Sequence, residues 1–315
     1  MGGACLKKIA ILGGASCSGC DVALFDLPGD ELERFFSEVE VVFWSTTMDS
    51  RIEDFEAQGK IDLVMFHGGI RTEEHRKLLI QAREKAEILV ALGSCASFGG
   101  IPGIANLFEL DAILKDIYGD EFTKLSGERI PKPEERLKPI SSYVEVDYYL
   151  PGCPPPVETI SEFLDHFILG SLPPRGIFGK ESTVCDECDR IKPEDISIEE
   201  VKRIGSKDWS EIDPKVCFLA QGVVCLGAVT RGGCKARCIN ANFPCRGCMG
   251  PAPNIRDQGA RILSEIASLL MKESEKNLSD EEIYERVQKE IVDPVGLFYR
   301  YTLPHYWGGS NEEDD

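Results

Sequence analysis

Cys17 and Cys20 form a Cys-x-x-Cys pair in SCSGC, Cys95 lies in LGSCASFGG, Cys153 lies in PGCPPP, and Cys185, Cys188, Cys217, Cys225, Cys234, Cys238, Cys245 and Cys248 crowd into one later stretch. Twelve of the thirteen cysteines therefore divide into three sets of four, and only Cys5 is left without an evident partner. Four thiolates held tetrahedrally are the donor set of a soft metal centre, either a [4Fe–4S] cluster or zinc. Small zinc sites draw two close Cys-x-x-Cys pairs from one compact module. The first set here collects one pair and two single cysteines from distant places, which suits a cluster better. In the second half a zinc ribbon from Cys185, Cys188, Cys245 and Cys248 stays open, although it would strand four cysteines. A thioredoxin-type role for Cys17 and Cys20 is weaker, because their loop is glycine-rich and other cysteines are expected nearby.

The remaining chemistry-bearing residues are sparse. GGASCSGC has neither G-x-G-x-x-G nor the Gly-Lys-Ser/Thr of a P-loop, so a nucleotide is not expected there. Its glycines would let the backbone approach a bulky cluster and donate N–H groups to its sulfurs. Asp21 follows directly; a place on a proton path is one reading, and an acid stabilised by the positive end of the next helix is the plainer one. His67, His75, His166 and His305 show no metal-ligand spacing, and solvated or core-satisfied roles are expected. No Ser-His-Asp arrangement, paired-carboxylate motif or cofactor fingerprint is evident, so no residue is assigned a catalytic role.

The elements that must position these cysteines follow from the apolar pattern. Lys7 to Gly13, Val39 to Ser45, Ile61 to Gly68, Ala86 to Gly93 and Tyr143 to Leu150 are short Val, Ile, Leu and aromatic runs, most of them continuous as in buried parallel strands. Between them, Arg71 to Lys85 has Leu78, Leu79 and Ala82 on one helical face. Alternating strands and helices predict an α/β domain with an open, flavodoxin-like, doubly wound parallel sheet, whose ligands gather beyond the strand carboxyl ends. Cys17, Cys20, Cys95 and Cys153 all follow such ends and would converge along one edge. Composition changes near SLPPRG (Ser171 to Gly176), which predicts domains at 1–172 and 173–315. The second is expected to be irregular, with metal coordination replacing part of its core. Helices are expected over Asn254 to Lys272, with Ile255, Ala260, Leu263, Ile266 and Leu270 near helical spacing, and around Asp280 to Val292. An aromatic end, FYRYTLPHYW, could pack on this chain or on a partner.

With 315 residues, 43% of them hydrophobic, the chain can bury a core without disulfides. A formal net charge of -19 disfavours nucleic acid and anionic membrane surfaces. No run is apolar enough to span a bilayer, and the first strand leaves no room for a leader peptide, so a cytoplasmic location is expected, where thiols stay reduced and bind metal. The GGSNEEDD tail (Gly308 to Asp315) has no apolar residue with which to fold.

In their order, CSGC, GSCASFGG, PGCPPP, QGVVCLGAVTRGGCKARC and PCRGC resemble the small, electron-transferring subunit of [NiFe] hydrogenases, whose N-terminal domain is also similar to the cluster-bearing subunit of respiratory complex I. The resemblance reaches to about Pro253. It implies three [4Fe–4S] clusters: a proximal one on Cys17, Cys20, Cys95 and Cys153, a distal one on Cys185, Cys188, Cys217 and Cys225, and a medial one on Cys234, Cys238, Cys245 and Cys248. Cys185 stands where membrane-bound periplasmic members use histidine, and Cys238 supplies a ligand where they have a three-iron cluster. Both changes look like the cytoplasmic group of methyl-viologen-reducing hydrogenase gamma subunits and sulfhydrogenase delta subunits. His67 lies near a position where such subunits often carry an acid. The implied partners are a large subunit with the nickel-iron site and a further iron–sulfur or flavin acceptor such as heterodisulfide reductase of methanogenesis. Two alternatives stay open: the same relay beside a large subunit without nickel, and a zinc-stabilised interaction module without redox function.

Overall fold

The computed structural model describes residues 6–119, 131–194, 196, 198, 200–202, 207–270, 279–291 and 293–307; Cys5 and the tail from Gly308 lie outside them. The chain divides into two compact units, Met1–Gly179 with Tyr301–Asp315, and Lys180–Arg300.

In the first unit the strands are β1 (Lys7–Gly13), β2 (Val39–Trp44), β3 (Ile61–His67), β4 (Ile70–Thr72), β5 (Ala86–Leu92), β6 (Pro133–Lys138), β7 (Tyr148–Leu150) and β8 (Gly176–Ile177). Six of them form one parallel sheet in the order β2-β1-β3-β5-β7-β8, while β4 and β6 pair antiparallel beside it. The helices are α1 (Gly19–Phe25), α2 (Gly29–Glu38), α3 (Ile52–Glu56), α4 (Glu73–Lys85), α5 (Gly93–Phe98), α6 (Leu110–Tyr118) and α7 (Val157–Leu169).

The two-residue period of a strand sorts the apolar runs onto two faces. Ile9, Ile11, Leu63, Met65, Val90 and Leu92 pack with Leu24 of α1, Phe35 of α2 and Phe163 of α7. Their neighbours Ala10, Leu12, Val64, Phe66, Leu89 and Ala91 pack with Phe55 of α3, Leu79 of α4 and Ala96 of α5. Helices on both faces explain why the strands are apolar throughout, and strand order reverses beside β1, as in doubly wound sheets. The expected α/β architecture is present. One strand differs: Tyr143 to Leu150 is extended in the sheet only at Tyr148–Leu150, with a 3-10 turn at Ile140–Ser142 before it. Asp147 stands directly before Tyr148, its backbone already joined to Leu89 and Gly176. Its buried carboxylate accepts the Leu89 N–H at 2.7 Å and pairs with Arg83 at 2.6 Å and Arg175 at 2.8 Å.

The second unit consists mainly of loops and short 3-10 turns, followed by α8 (Gln258–Leu270), α9 (Asp280–Glu290) and α10 (Pro294–Phe298). It keeps an apolar core of its own, including Val184, Phe218, Val224, Ile239, Ile262, Ile266 and Phe298. The expected exchange of core for metal therefore understates its packing. On α8, Ile266 is fully buried as expected, but so is Ile262, while Leu263 is 37% exposed and Ala260 is exposed, which shifts the apolar face. Past α10 the chain returns to the first unit as α11 (Leu303–Trp307). Among the described residues no helix is long and apolar enough to cross a membrane.

Candidate functional site

The loops after β1, β5 and β7 bring Cys17, Cys20, Cys95 and Cys153 together. Each of these thiols interacts electrostatically with the other three. Backbone contacts lock the loops to one another: the Ser94 N–H donates to Gly152 O at 2.8 Å, and Cys20 Sγ lies 3.7 Å from Leu92 O. Glycine is required at two places where backbone meets sulfur, Gly93 and Gly100, and a third, Gly19, is merely tight. A Cβ at Gly93 (φ +84) would lie 2.4 Å from Cys20 Sγ, one at Gly100 (φ +62) 2.5 Å from Cys95 Sγ, and one at Gly19 3.3 Å from Cys17 Sγ.

The eight later cysteines form two linked neighbourhoods, with Cys225 interacting first with Cys245, across them, and then with Cys217. Cys185 interacts with Cys225, Cys217 and Cys188. Cys245 interacts with Cys248 and Cys234, and Cys234 with Cys238. The two neighbourhoods touch where the Cys245 N–H donates to Cys225 Sγ at 3.3 Å. Further backbone donors reach sulfur: Gly227 to Cys225, Gly247 to Cys245, and Ala236 and Arg237 to Cys234. Donation by glycine N–H groups was expected of GGASCSGC; here it occurs in the second unit.

Burial is the first cause that pushes the Cys20, Cys95, Cys153, Cys185, Cys225, Cys234 and Cys245 thiols up, and neighbouring thiols add to it. Cys95, Cys185 and Cys225 are pushed up to about 12, and Cys20 and Cys245 rise further. Buried, mutually repelling thiolates are stable only around a cation, which replaces their protons and neutralises them together. Among the described residues, no three His, Cys, Asp or Glu side chains stand close enough to hold a single metal ion. A mononuclear zinc site would hold four donors at about 2.0–2.3 Å from one ion. Thiol sets of this kind, faced by glycine and N–H donors, fit iron–sulfur clusters.

Beside the first site lies a linkage that sequence reading missed. His67, at the end of β3, sits between the residues that flank the Cys-x-x-Cys pair: Nδ1 is 3.0 Å from Ser16 Oγ, and Nε2 is 3.0 Å from Asp21 Oδ2. The expectation of no Ser-His-Asp arrangement is thus corrected. The three are separated in sequence, and only the β1–β3 pairing brings them together. The Asp21 carboxylate also accepts the Trp44 indole N–H at 2.7 Å. Burial raises its pKa, but the His67 contact and charge, then the Trp44 and Thr46 hydrogen bonds, hold it below the usual carboxylate range. Side chains therefore hold Asp21, more than the helix terminus that the sequence suggested.

Two other histidines have different surroundings. His166 meets Ser171 Oγ at 2.9 Å, and His305 packs edge-on against Phe98 at 5.7 Å. That second contact belongs to the returning C-terminal segment, which supports the Cys95 loop. The Gly100 N–H donates to Tyr301 O at 3.1 Å, and a Cβ at Gly99 or Gly103 would lie 2.3 or 2.1 Å from Pro304 Cγ.

Residues 17–167 match the family described as NADH ubiquinone oxidoreductase, 20 Kd subunit. The chain is similar to a vhu-type F420-non-reducing hydrogenase subunit of Methanocaldococcus jannaschii, 36% identical over 301 residues, covering 94% of this chain and 95% of that one. It is similar to the iron-sulfur subunit of the F420-non-reducing hydrogenase of Archaeoglobus profundus, 36% identical over 324 residues, covering 94% of this chain and 96% of that one. Among solved structures it is similar to a Dm. baculatum [NiFeSe]-hydrogenase chain, with a TM-score of 0.51 at 16% identity over 80% of this chain and 96% of the other, a likeness of fold alone.

Proposed function

Because the chain belongs to the family of hydrogenase small, iron–sulfur subunits that includes those of the F420-non-reducing hydrogenases, we propose that it is the electron-transfer subunit of a cytoplasmic [NiFe] hydrogenase. Bound to it, three [4Fe–4S] clusters would supply one-electron transfer from hydrogen oxidised on a separate large subunit to a further iron–sulfur or flavin partner, such as a heterodisulfide reductase. Cys17, Cys20, Cys95 and Cys153 hold the proximal cluster in this reading. Cys185, Cys188, Cys217 and Cys225 hold the distal one, and Cys234, Cys238, Cys245 and Cys248 the medial one. The observation that carries the reading is the convergence of four thiols from three separate strand ends, each within electrostatic reach of the other three. The chain's own work is to fix sulfur positions, to keep side chains away from them through glycine, and to donate N–H groups to them.

The partition of the later eight is tested at Cys238. Cys238→Ala in the anaerobic complex should give an assembled protein with a new oxidised three-iron electron paramagnetic resonance signal. Three intact four-iron clusters in that variant would overturn the partition. A nickel-free large subunit is the second reading, favoured by the match of residues 17–167 to a ubiquinone oxidoreductase family. Hydrogen uptake with viologen and nickel in the purified complex support the hydrogenase; clusters without either support the second reading.

A further inference from the structure

The segment that carries Cys185 and Cys188 also carries a buried arginine and a half-buried glutamate. Arg190 is 7% exposed, and its guanidinium lies over the Phe218 ring, with Cζ 3.8 Å from the centroid. Nη1 donates to Asp213 O at 3.0 Å and Val216 O at 2.8 Å, and Nη2 to Asn242 Oδ1 at 2.6 Å. These acceptors are all neutral oxygens, and among the described residues Nε has no partner. A buried cation without a counter-charge is costly. Arg190 is two residues from Cys188, while Val216 and Phe218 flank Cys217, so an anionic centre on these cysteines would provide that counter-charge.

Glu187 points the other way. Its side chain is 9% exposed. Oε1 accepts the Gly233 N–H at 2.9 Å and Oε2 the Lys235 N–H at 2.8 Å, the two amides on either side of Cys234. Lys235 and Ala236 are held there at φ 55 and 49, a left-handed turn that needs such support. Lys180 balances part of the charge from the exposed side at 3.0 Å.

We propose that Arg190 is the buried counter-charge of the Cys185, Cys188, Cys217 and Cys225 site, and that Glu187 sets a negative charge against the Cys234, Cys238, Cys245 and Cys248 site. The pair biases the two in opposite directions. Reduction adds negative charge to a cluster, so a fixed cation raises the reduction potential of the first site and a fixed anion lowers that of the second. The inference rests on the three-cluster reading above and adds residues that tune it without binding iron.

The test is a redox titration of the purified complex followed by electron paramagnetic resonance, for wild type, Arg190→Gln, Arg190→Lys and Glu187→Gln. Arg190→Gln should lower the potential of one cluster, and Glu187→Gln should raise that of another. Arg190→Lys should keep most of the wild-type potential while lowering thermal stability, because the charge stays and the stacked fork is lost. Shifts of the same sign, shifts on the same cluster, or unchanged potentials overturn the proposal. Should Arg190→Gln hold too little iron to titrate, Glu187→Gln decides alone: a raised potential supports the proposal and an unchanged or lowered one overturns it. A wild-type complex without three clusters defeats the underlying reading instead, and iron analysis tells the two failures apart.

Discussion

The two units solve the same problem, holding sets of thiols at fixed positions, by opposite means. In the first, the four cysteines span residues 17 to 153 and owe their convergence to a parallel sheet whose interior is closed by apolar packing on both faces. In the second, eight cysteines lie within residues 185 to 248, and turns place them: the 3-10 turn Val184–Glu187, the left-handed Lys235, Ala236 and Asn242, and amides that donate to sulfur. A site built on long-range topology is set by strand register, whereas one built on turns is set by local backbone conformation.

The largest expected effect breaks the topological site. On the proposed three-cluster reading, Cys153→Ala should remove the cluster assigned to the loops after β1, β5 and β7 while leaving the other two, and should lower hydrogen-dependent viologen reduction on the order of 100-fold or more. Iron content and the viologen assay check it. Full activity with unchanged iron would show that the convergence has no functional role.

A smaller effect sharpens the comparison by asking whether the turn-built unit depends on its own apolar core. Ile262→Ala should destabilise it by about 2–5 kcal/mol, the usual cost of emptying a buried aliphatic site. Leu263→Ala, on the exposed side of the same helix, should change stability by no more than about 0.5 kcal/mol. Denaturant unfolding separates them, and equal losses would mean that the helix face is misassigned.

These two residues also show where the sequence was legible. β1, β3 and β5 could be read directly, because a strand buried on both faces must be a continuous apolar run, and the cysteines after them followed from the carboxyl-end rule. Ile262 and Leu263 both fit helical spacing, so only the packing of α8 could choose between them. Tyr143 to Val146 has strand-like residues, yet the chain follows a 3-10 turn at Ile140–Ser142 and joins the sheet only from Asp147 and Tyr148 on, with no local pattern to mark the change. The Ser16, His67 and Asp21 linkage and the seating of Pro304 on Gly99 and Gly103 join residues far apart in the chain, with no local pattern to announce them.

The smallest expected effect is confined to the first unit. Burial pushes the His75 imidazole down, Glu74 opposing, and among the described residues its Nδ1 has no partner. With the folded value below the unfolded value of about 6.5, the folded state binds fewer protons in acid. The contribution is therefore fully present above about pH 6.5 and is lost as pH falls through the depressed folded value. Partial exposure and solvent screening keep it below about 1 kcal/mol. His75→Gln should lose less thermal stability than wild type between about pH 7 and pH 5; an identical loss would remove His75 from the acid response.

Iron, acid-labile sulfide and zinc measured together on the anaerobically purified protein test the central claim most directly. Three cubane sites require about twelve irons and as much sulfide per chain, with little zinc. About eight irons with one equivalent of zinc would contradict the account and assign one of the turn-built sets in the second unit to zinc.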